Sequence, residues 1–337
     1  MMKILRDKRI QFILTGLLFI LIINFMPIKT STVTMLTNCV VYSIAALGFN
    51  VLLGYTGQIS LGHAAFIGLG AYVSAYVTQD MKLPFLVGML AAGIIPIILG
   101  LILGLAALRL EGHYLAIATL GFGVAVQQTF KVLTSLTGGY TGKTAPSAAI
   151  FGMKLKGGPE YLTFAVILLV ILCIVVYNIY NSKTGRAFIA MRDSVHSAQA
   201  MGIDVVKYKL IAFSISAFYA GIAGSLYMHL VKYTQPDVWG TVVSINLLGM
   251  VVIGGLASIG GSIIGAFFIT YMPHLVLEVP VLKDIASASS IFTGLAIILV
   301  IRFIPEGVIY LIGKVQSKIF KSGGRKNELT ESTESVN

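Results

Sequence analysis

The chain has 337 residues, 57% hydrophobic and only 11% charged, with a mean hydropathy of +0.91; soluble domains carry about 25% charged residues, so a water-soluble fold is excluded. The formal charge of +11, from 24 Lys and Arg against 13 Asp and Glu, lies at the ends of apolar runs. That placement sets membrane topology and lacks the clustered basic face that nucleic-acid binding needs.

In chain order, ten apolar stretches approach the roughly 20 residues that a membrane span requires: residues 10–27, 33–53, 63–78, 84–108, 113–131, 160–180, 208–230, 242–256, 262–277 and 287–304. Their continuity predicts helices, which satisfy their own backbone hydrogen bonds; barrel strands would alternate over about ten residues. The third, eighth and ninth are short and fit half-helices or re-entrant segments. The expectation is an all-α polytopic membrane protein of about eight to ten transmembrane helices with Gly-rich broken segments. The basic start (Lys3, Arg6, Lys8, Arg9) followed by an apolar run to Met26, with no small-x-small site, reads as an uncleaved first span.

Orientation follows from Lys and Arg. With a cytoplasmic N-terminus and ten crossings, sixteen of them fall inside and eight outside, which puts both termini in the cytoplasm. Residues 132–159 then form an external loop rich in Gly, Thr and Ser, and 181–207 a long internal one. Residues 1–320 read as a single transmembrane domain in the cell (plasma or inner) membrane, and 321–337 as a disordered cytoplasmic tail.

Two Gly-rich breaks interrupt the spans. The first is Gly54-Tyr55-Thr56-Gly57-Gln58-Ile59-Ser60-Leu61-Gly62-His63, and the second Ile253-Gly254-Gly255-Leu256-Ala257-Ser258-Ile259-Gly260-Gly261. Irregular polar backbone at membrane depth survives only where protein buries it or water reaches it. Repeated breaks point to a transport site, although glycines also permit tight helix packing. The candidates for a translocation path or gate are Gln58, Ser60 and His63, with Asn50 one helical turn before the break. Asn246, Gly254 and Gly255 are placed to face them, and Glu111 and His113 lie at the cytoplasmic mouth. Interhelical hydrogen bonding is the alternative for Asn50, Ser60 and Asn246, and His63 equally caps or pins the break.

Several chemistries lack support. Gly142-Lys143-Thr144 resembles a phosphate-binding loop, but Thr137 stands where its first glycine belongs and no strand precedes it. His63, His113, His196, His229 and His274 show no metal-ligand spacing, and no catalytic cluster appears, so no enzyme activity, metal or cofactor is expected. Cys39 and Cys173 read as small buried hydrophobes. The spans are almost free of acids, against an ion-coupled secondary transporter.

The internal loop holds the clearest constellation. Phe188, Met191, Val195 and Ala198 make one apolar stripe, with Arg186, Arg192, Asp193, His196 and Gln199 turned away and Gly202 placed to end the helix. Such a helix lies on the lipid interface or docks into a protein groove. This segment resembles the coupling loop of ABC-importer permeases, and the likeness continues through Tyr208–Gly224. More narrowly, the chain is similar to the branched-chain amino-acid permease family, LivM-type. Residues 54–72, Leu110–Leu120, Gly254–Gly265 and Ile304-Pro305-Glu306-Gly307 carry this likeness, which covers roughly 30–315. It departs at Gly139-Tyr140-Thr141-Gly142-Lys143, where the family has Gly-Leu-Thr-Gly-Ile, and at Ser197-Ala198, which holds the place of an alanine pair.

The resemblance implies the permease subunit of an ATP-driven importer for leucine, isoleucine and valine, with urea, short amides or another small organic solute as the alternative. It implies a second homologous permease, two cytoplasmic ATPase subunits that bind the ATP, and an extracytoplasmic solute-binding protein. Coupling to an ATPase would fall to Gly185, Arg186, Met191, Arg192, Asp193, Ala198, Met201 and Gly202. Affinity would sit in the binding protein, leaving the first break as a gate.

Overall fold

A computed structural model describes residues 8–25, 29–107, 110, 112–150, 153–155, 158–278, 288–304 and 307–310. Glu111 and the tail 321–337 lie outside the described residues. The chain runs α1 (Lys8–Phe25), α2 (Thr30–Asn50), α3 (His63–Ala75), α4 (Phe85–Ala107), α5 (His113–Val132), α6 (Thr134–Thr137), α7 (Pro159–Tyr180), α8 (Lys183–Asp193), α9 (Val195–Ala200), α10 (Val205–Val231), α11 (Thr241–Gly254), α12 (Ile259–Glu278) and α13 (Ala288–Phe303). All ten expected spans are helices. Among the described residues, six helices are long and apolar enough to cross a membrane: α1, α2 extended to Tyr55, α4, α5, α7 and α10.

The 14 residues of α11 reach only about 21 Å, short of a bilayer core of about 30 Å, as the half-helix expectation requires. The ninth span departs from expectation. At 20 residues, α12 is longer than its apolar run, because the Ser258 hydroxyl accepts from the Gly261 N–H at 3.0 Å and starts the helix within the glycines. α2 and α3 both widen into π-helical turns, at Val51–Tyr55 and Tyr76–Asp80, a local form frequent at functional sites.

The centre of the bundle is α2, α3 and α10; α3 is buried along its whole length. Small residues let these backbones meet. Gly70 lies against the backbone of Gly221, Gly224 against Ile67, and Gly221 also against the Ala92 carbonyl of α4. Polar pins join α3 to α10 at both ends. His63 Nε2 meets Ser216 Oγ at 3.2 Å. Eleven residues along α3, Ser74 Oγ meets Ser225 Oγ at 2.7 Å and His229 Nε2 at 3.1 Å. Large apolar side chains such as Leu17, Leu18, Ile98, Ile117 and Ile298 point outward from α1, α4, α5 and α13, the pattern of a lipid-facing surface.

One end of the bundle carries both breaks together with α8 and α9. The opposite end carries 133–150, 153–155 and 232–240. There the two-residue strands Lys143–Thr144 and Tyr233–Thr234 pair antiparallel, Lys143 pairs with Asp80, and His229 Nδ1 meets the Pro146 carbonyl at 2.9 Å. The stretch resembling a phosphate loop is thus a strand whose lysine is paired with Asp80 and sits 5.0 Å from the Tyr76 ring centre.

Candidate gate and coupling site

The first break starts from a widened helix end. Gly57 lies in the left-handed region (φ 71°); its N–H bonds the Leu53 carbonyl at 3.0 Å, and the Gln58 N–H the Leu52 carbonyl at 3.1 Å, an enlarged form of the glycine helix stop. A side chain at Gly57 would be strained by the backbone and would press on Arg192 Cγ at 3.3 Å. Gly57→Ala is therefore expected to cost about 1–2 kcal/mol, checked by thermal unfolding of the solubilised protein.

The rest of the break is held by hydroxyls. Thr119 Oγ1 accepts from the Leu61 N–H at 2.9 Å, and Ser244 Oγ from the Ala64 N–H at 2.9 Å. His63 is fully buried, between the Phe49 and Phe66 rings at 4.9 and 5.4 Å. Gln58 donates from Nε2 to Thr56 Oγ1 at 2.8 Å. Among the described residues, the buried side-chain polar atoms without a hydrogen-bond partner include Gln58 Oε1, Ser60 Oγ and His63 Nδ1. Native interiors hold few such atoms; three within six residues mark this segment as unlike the bundle around it.

Asn50 joins the two breaks. Its amide donates to the Ser258 carbonyl at 3.0 Å and to Ser262 Oγ at 2.7 Å, and its Oδ1 accepts from the Ala257 N–H at 3.0 Å. It is fully buried, so the interhelical alternative describes its bonding. The second break turns at Gly255 (φ 120°, ψ 125°) and at Ala257, a non-glycine residue at φ 57°. Gly254 packs on the backbone of Gly261. Asn246 lies half-buried about two turns up α11, and His113 is exposed at the start of α5.

The internal loop differs from one continuous helix. Ser194 takes an extended conformation (φ −163°, ψ 115°) between α8 and α9, and its hydroxyl caps α9 by accepting from the Ser197 N–H at 3.2 Å. A serine at that place competes for the backbone and starts a new helix. Gly202 ends α9 at φ 79°, with bonds from Gly202 N–H to the Gln199 carbonyl and from Ile203 N–H to the Ala198 carbonyl at 2.9 and 3.0 Å, the stop expected of it.

The apolar stripe is turned toward the chain's own bundle. Phe188, Met191 and Ala198 are buried and Val195 half-buried; Phe188 contacts the Tyr208 ring at 6.3 Å. Gly185 lies against the Tyr180 backbone. The outward face keeps Arg186, Asp193, His196 and Gln199, with Met201 exposed by 83%.

Arg192 connects this loop to the first break: its guanidinium donates to the Gly54 carbonyl at 3.3 Å and to Asp193 Oδ1 at 3.3 Å. Alongside lies a cavity of ≈ 170 Å³, reached by Thr56, Gly57, Gln58, Leu115, Arg192 and Lys209. Lys209 is buried. Sequence reasoning counted it only for topology, and missed Thr119, Ser216 and Ser244 as the partners of the break.

Residues 31–301 match the family described as branched-chain amino acid transport system / permease component. The chain is 30% identical over 325 residues to the high-affinity branched-chain amino acid transport system permease protein LivM of Salmonella typhimurium, covering 89% of this chain and 75% of that one. It is 26% identical to the probable branched-chain amino acid transport permease protein LivH of Methanocaldococcus jannaschii (72% and 80% covered), and 25% identical to the autoinducer 2 import system permease protein LsrC of Salmonella typhi (52% and 53% covered). Among solved structures, PsaBC from Streptococcus pneumoniae in complex with Fab aligns at a TM-score of 0.43 and 14% identity over 86% of this chain and 96% of that one, too loose a match to bear on the fold.

Proposed function

The chain belongs to the branched-chain amino acid transport permease family, and we propose that it is the transmembrane subunit of an ATP-driven importer that brings leucine, isoleucine and valine into the cell. It is a multi-pass membrane protein and a permease component of ABC-type transport. In this reading a second homologous permease completes the path, two cytoplasmic ATPases bind and hydrolyse ATP, and an extracytoplasmic binding protein delivers the solute.

The observation that supports coupling best is the contact between Arg192 and the Gly54 carbonyl. A helix end leaves carbonyls without partners; here one of them is held by a residue of the internal loop. The loop's apolar face is spent on the bundle, so the outward face with Arg186, Asp193, His196, Met201 and Gly202 is the part left for an ATPase. A push on α8 would then reach the break through Arg192 and Gly57, and from there the second break through Asn50. Such a chain of contacts fits a two-state element biased by a ligand. Gln58, Ser60 and His63 line the gate in this scheme, with His113 at its mouth and Asn246, Gly254 and Gly255 on the facing side.

Arg192→Gln is expected to leave the complex assembled but to lower solute uptake per ATP hydrolysed roughly tenfold, the scale of one lost charged hydrogen bond. Unchanged coupling in proteoliposomes would refute the link. Solute identity is tested by binding-protein-dependent leucine uptake in competition with isoleucine, valine and urea. The LsrC likeness, to an autoinducer 2 import permease, favours the second reading of another small solute carried on the same scaffold. Inhibition by urea, with none by valine, would select that alternative.

A further inference from the structure

The chain that leaves α13 comes back to the second break. The Ile304 N–H bonds the Val300 carbonyl at 2.7 Å, and the Gly307 N–H bonds the Ile304 carbonyl at 2.9 Å. Gly307 stands at φ 83°, a left-handed conformation open to a residue without a Cβ. Val308, Ile309 and Tyr310 then make a helical turn, with the Tyr310 N–H bonded to the Gly307 carbonyl at 3.1 Å.

This turn rests on main chain. Gly307 is buried. A Cβ there would run into Gly255 Cα and lie 2.6 Å from the Gly255 nitrogen and 2.9 Å from the Gly254 carbonyl carbon. Gly255 is the residue at which the second break turns, at φ 120° and ψ 125°. Val308 packs against the apolar core. Ile309 Cδ1 lies 3.5 Å from where a Cβ on Gly260 would stand. Residues 307–310 therefore touch the break at its start, Gly254-Gly255, and again at Gly260.

The middle of the same break is held by α2. Asn50 bonds Ala257 and Ser258, and a Cβ on Gly54 would run into the Ala257 nitrogen. Gly54 in turn accepts from Arg192 of the internal loop. A shift that the internal loop passes to Ala257 must also move Gly255, two residues away, against Gly307. Both surfaces are main chain in a close-packed interior, and neither turns aside as a side chain does. The break moves only when residues 307–310 give way.

Resting on the importer reading above, we propose that residues 307–310 are a strap across the second break, closed in this structure, which lets go of Gly254–Gly260 when the ATPases drive the internal loop. Strap and drive bias one two-state element in opposite directions. Loosening the strap lets the break move without solute, and fixing it stops the cycle. A segment that only stabilised the fold would lower activity in both cases.

The test uses the whole transporter, with its second permease, ATPases and binding protein, in proteoliposomes. Ile309→Ala removes the contact to Gly260, and Gly307→Ala puts a strained Cβ into the closed strap. Both are expected to raise ATP hydrolysis measured without binding protein or solute, Gly307→Ala by roughly tenfold. Gly260→Cys with Ile309→Cys, in a chain whose two buried cysteines carry Cys39→Ala and Cys173→Ala, is then joined by a short bis-methanethiosulfonate. The joined complex is expected to lose leucine uptake and regain it on reduction, while either single-cysteine variant treated alike keeps it. Unchanged or lowered hydrolysis in folded Ile309→Ala, or uptake by the joined complex at the rate seen after reduction, would overturn the strap. Absence of leucine uptake by the unaltered complex would instead overturn the branched-chain reading. The hydrolysis measurement needs no solute and would then still decide the strap by itself.

Discussion

Asn50→Leu is expected to destabilise the solubilised protein by about 2–4 kcal/mol and to abolish uptake. The leucine is similar in size but removes a clasp of three hydrogen bonds between the breaks. The Ser258 carbonyl and Ser262 hydroxyl retain each other at 3.0 Å, so most of the loss falls on the Ala257 N–H. That group would be left without a partner next to a residue held at φ 57°, a conformation costing about 1–2 kcal/mol for any residue with a Cβ. Thermal unfolding in detergent measures the first effect and proteoliposome uptake the second. An unchanged melting transition would show that the two breaks are held together by something other than this side chain.

Gly221→Val carries the other large effect. The added carbons would meet the carbonyl of Ala92 on one side, with Pro96 Cγ at 2.9 Å, while the Gly70 contact fills the other. Backbone atoms of packed helices cannot turn aside as a side chain does, so α10 must part from α4 or α3. Overpacking in a close-packed core costs about 1–3 kcal/mol where neighbours adjust, and here the neighbours are main chain, so the expected loss is at least about 3 kcal/mol. The yield of folded protein from membranes and its melting transition report this. Gly121→Val on α5, where a Cβ would meet nothing within 4 Å, is the control expected to leave both unchanged. Equal behaviour of the two variants would refute backbone-to-backbone packing as the basis of the α3–α4–α10 core.

The helices were legible in the sequence because a span must be continuous and apolar to satisfy its backbone in lipid, and all ten follow their apolar runs to within a few residues. The meeting of the two breaks was also anticipated, since both are glycine-rich and fall at the same membrane side by charge. The partners of the break were not legible. A serine or threonine in an apolar helix commonly bonds its own preceding turn, as Thr37 does to Val33, Ser43 to Cys39 and Thr78 to Ser74. Nothing in residue type separates these from Ser216, Ser244 or Thr119, which reach other segments. The internal loop shows a second limit. Its apolar stripe was plain from spacing, but an amphipathic face does not say what covers it, and here the chain's own bundle does. The kink at Ser194 did leave a trace, a cap residue three positions before Ser197.

The pins at the two ends of α3 bear on how the molecule can move. His63 with Ser216 at one end, and Ser74 with Ser225 and His229 at the other, weld α3 and α10 into a single beam. Sliding or twisting along this seam would break these contacts, at about 1 kcal/mol each, and part closely packed backbones. An alternation between inward-open and outward-open shapes costs less at surfaces where one helix leans on another without such pins. His229 also reaches Pro146, so the pinned pair is tied at its far end to the loop that holds Pro146.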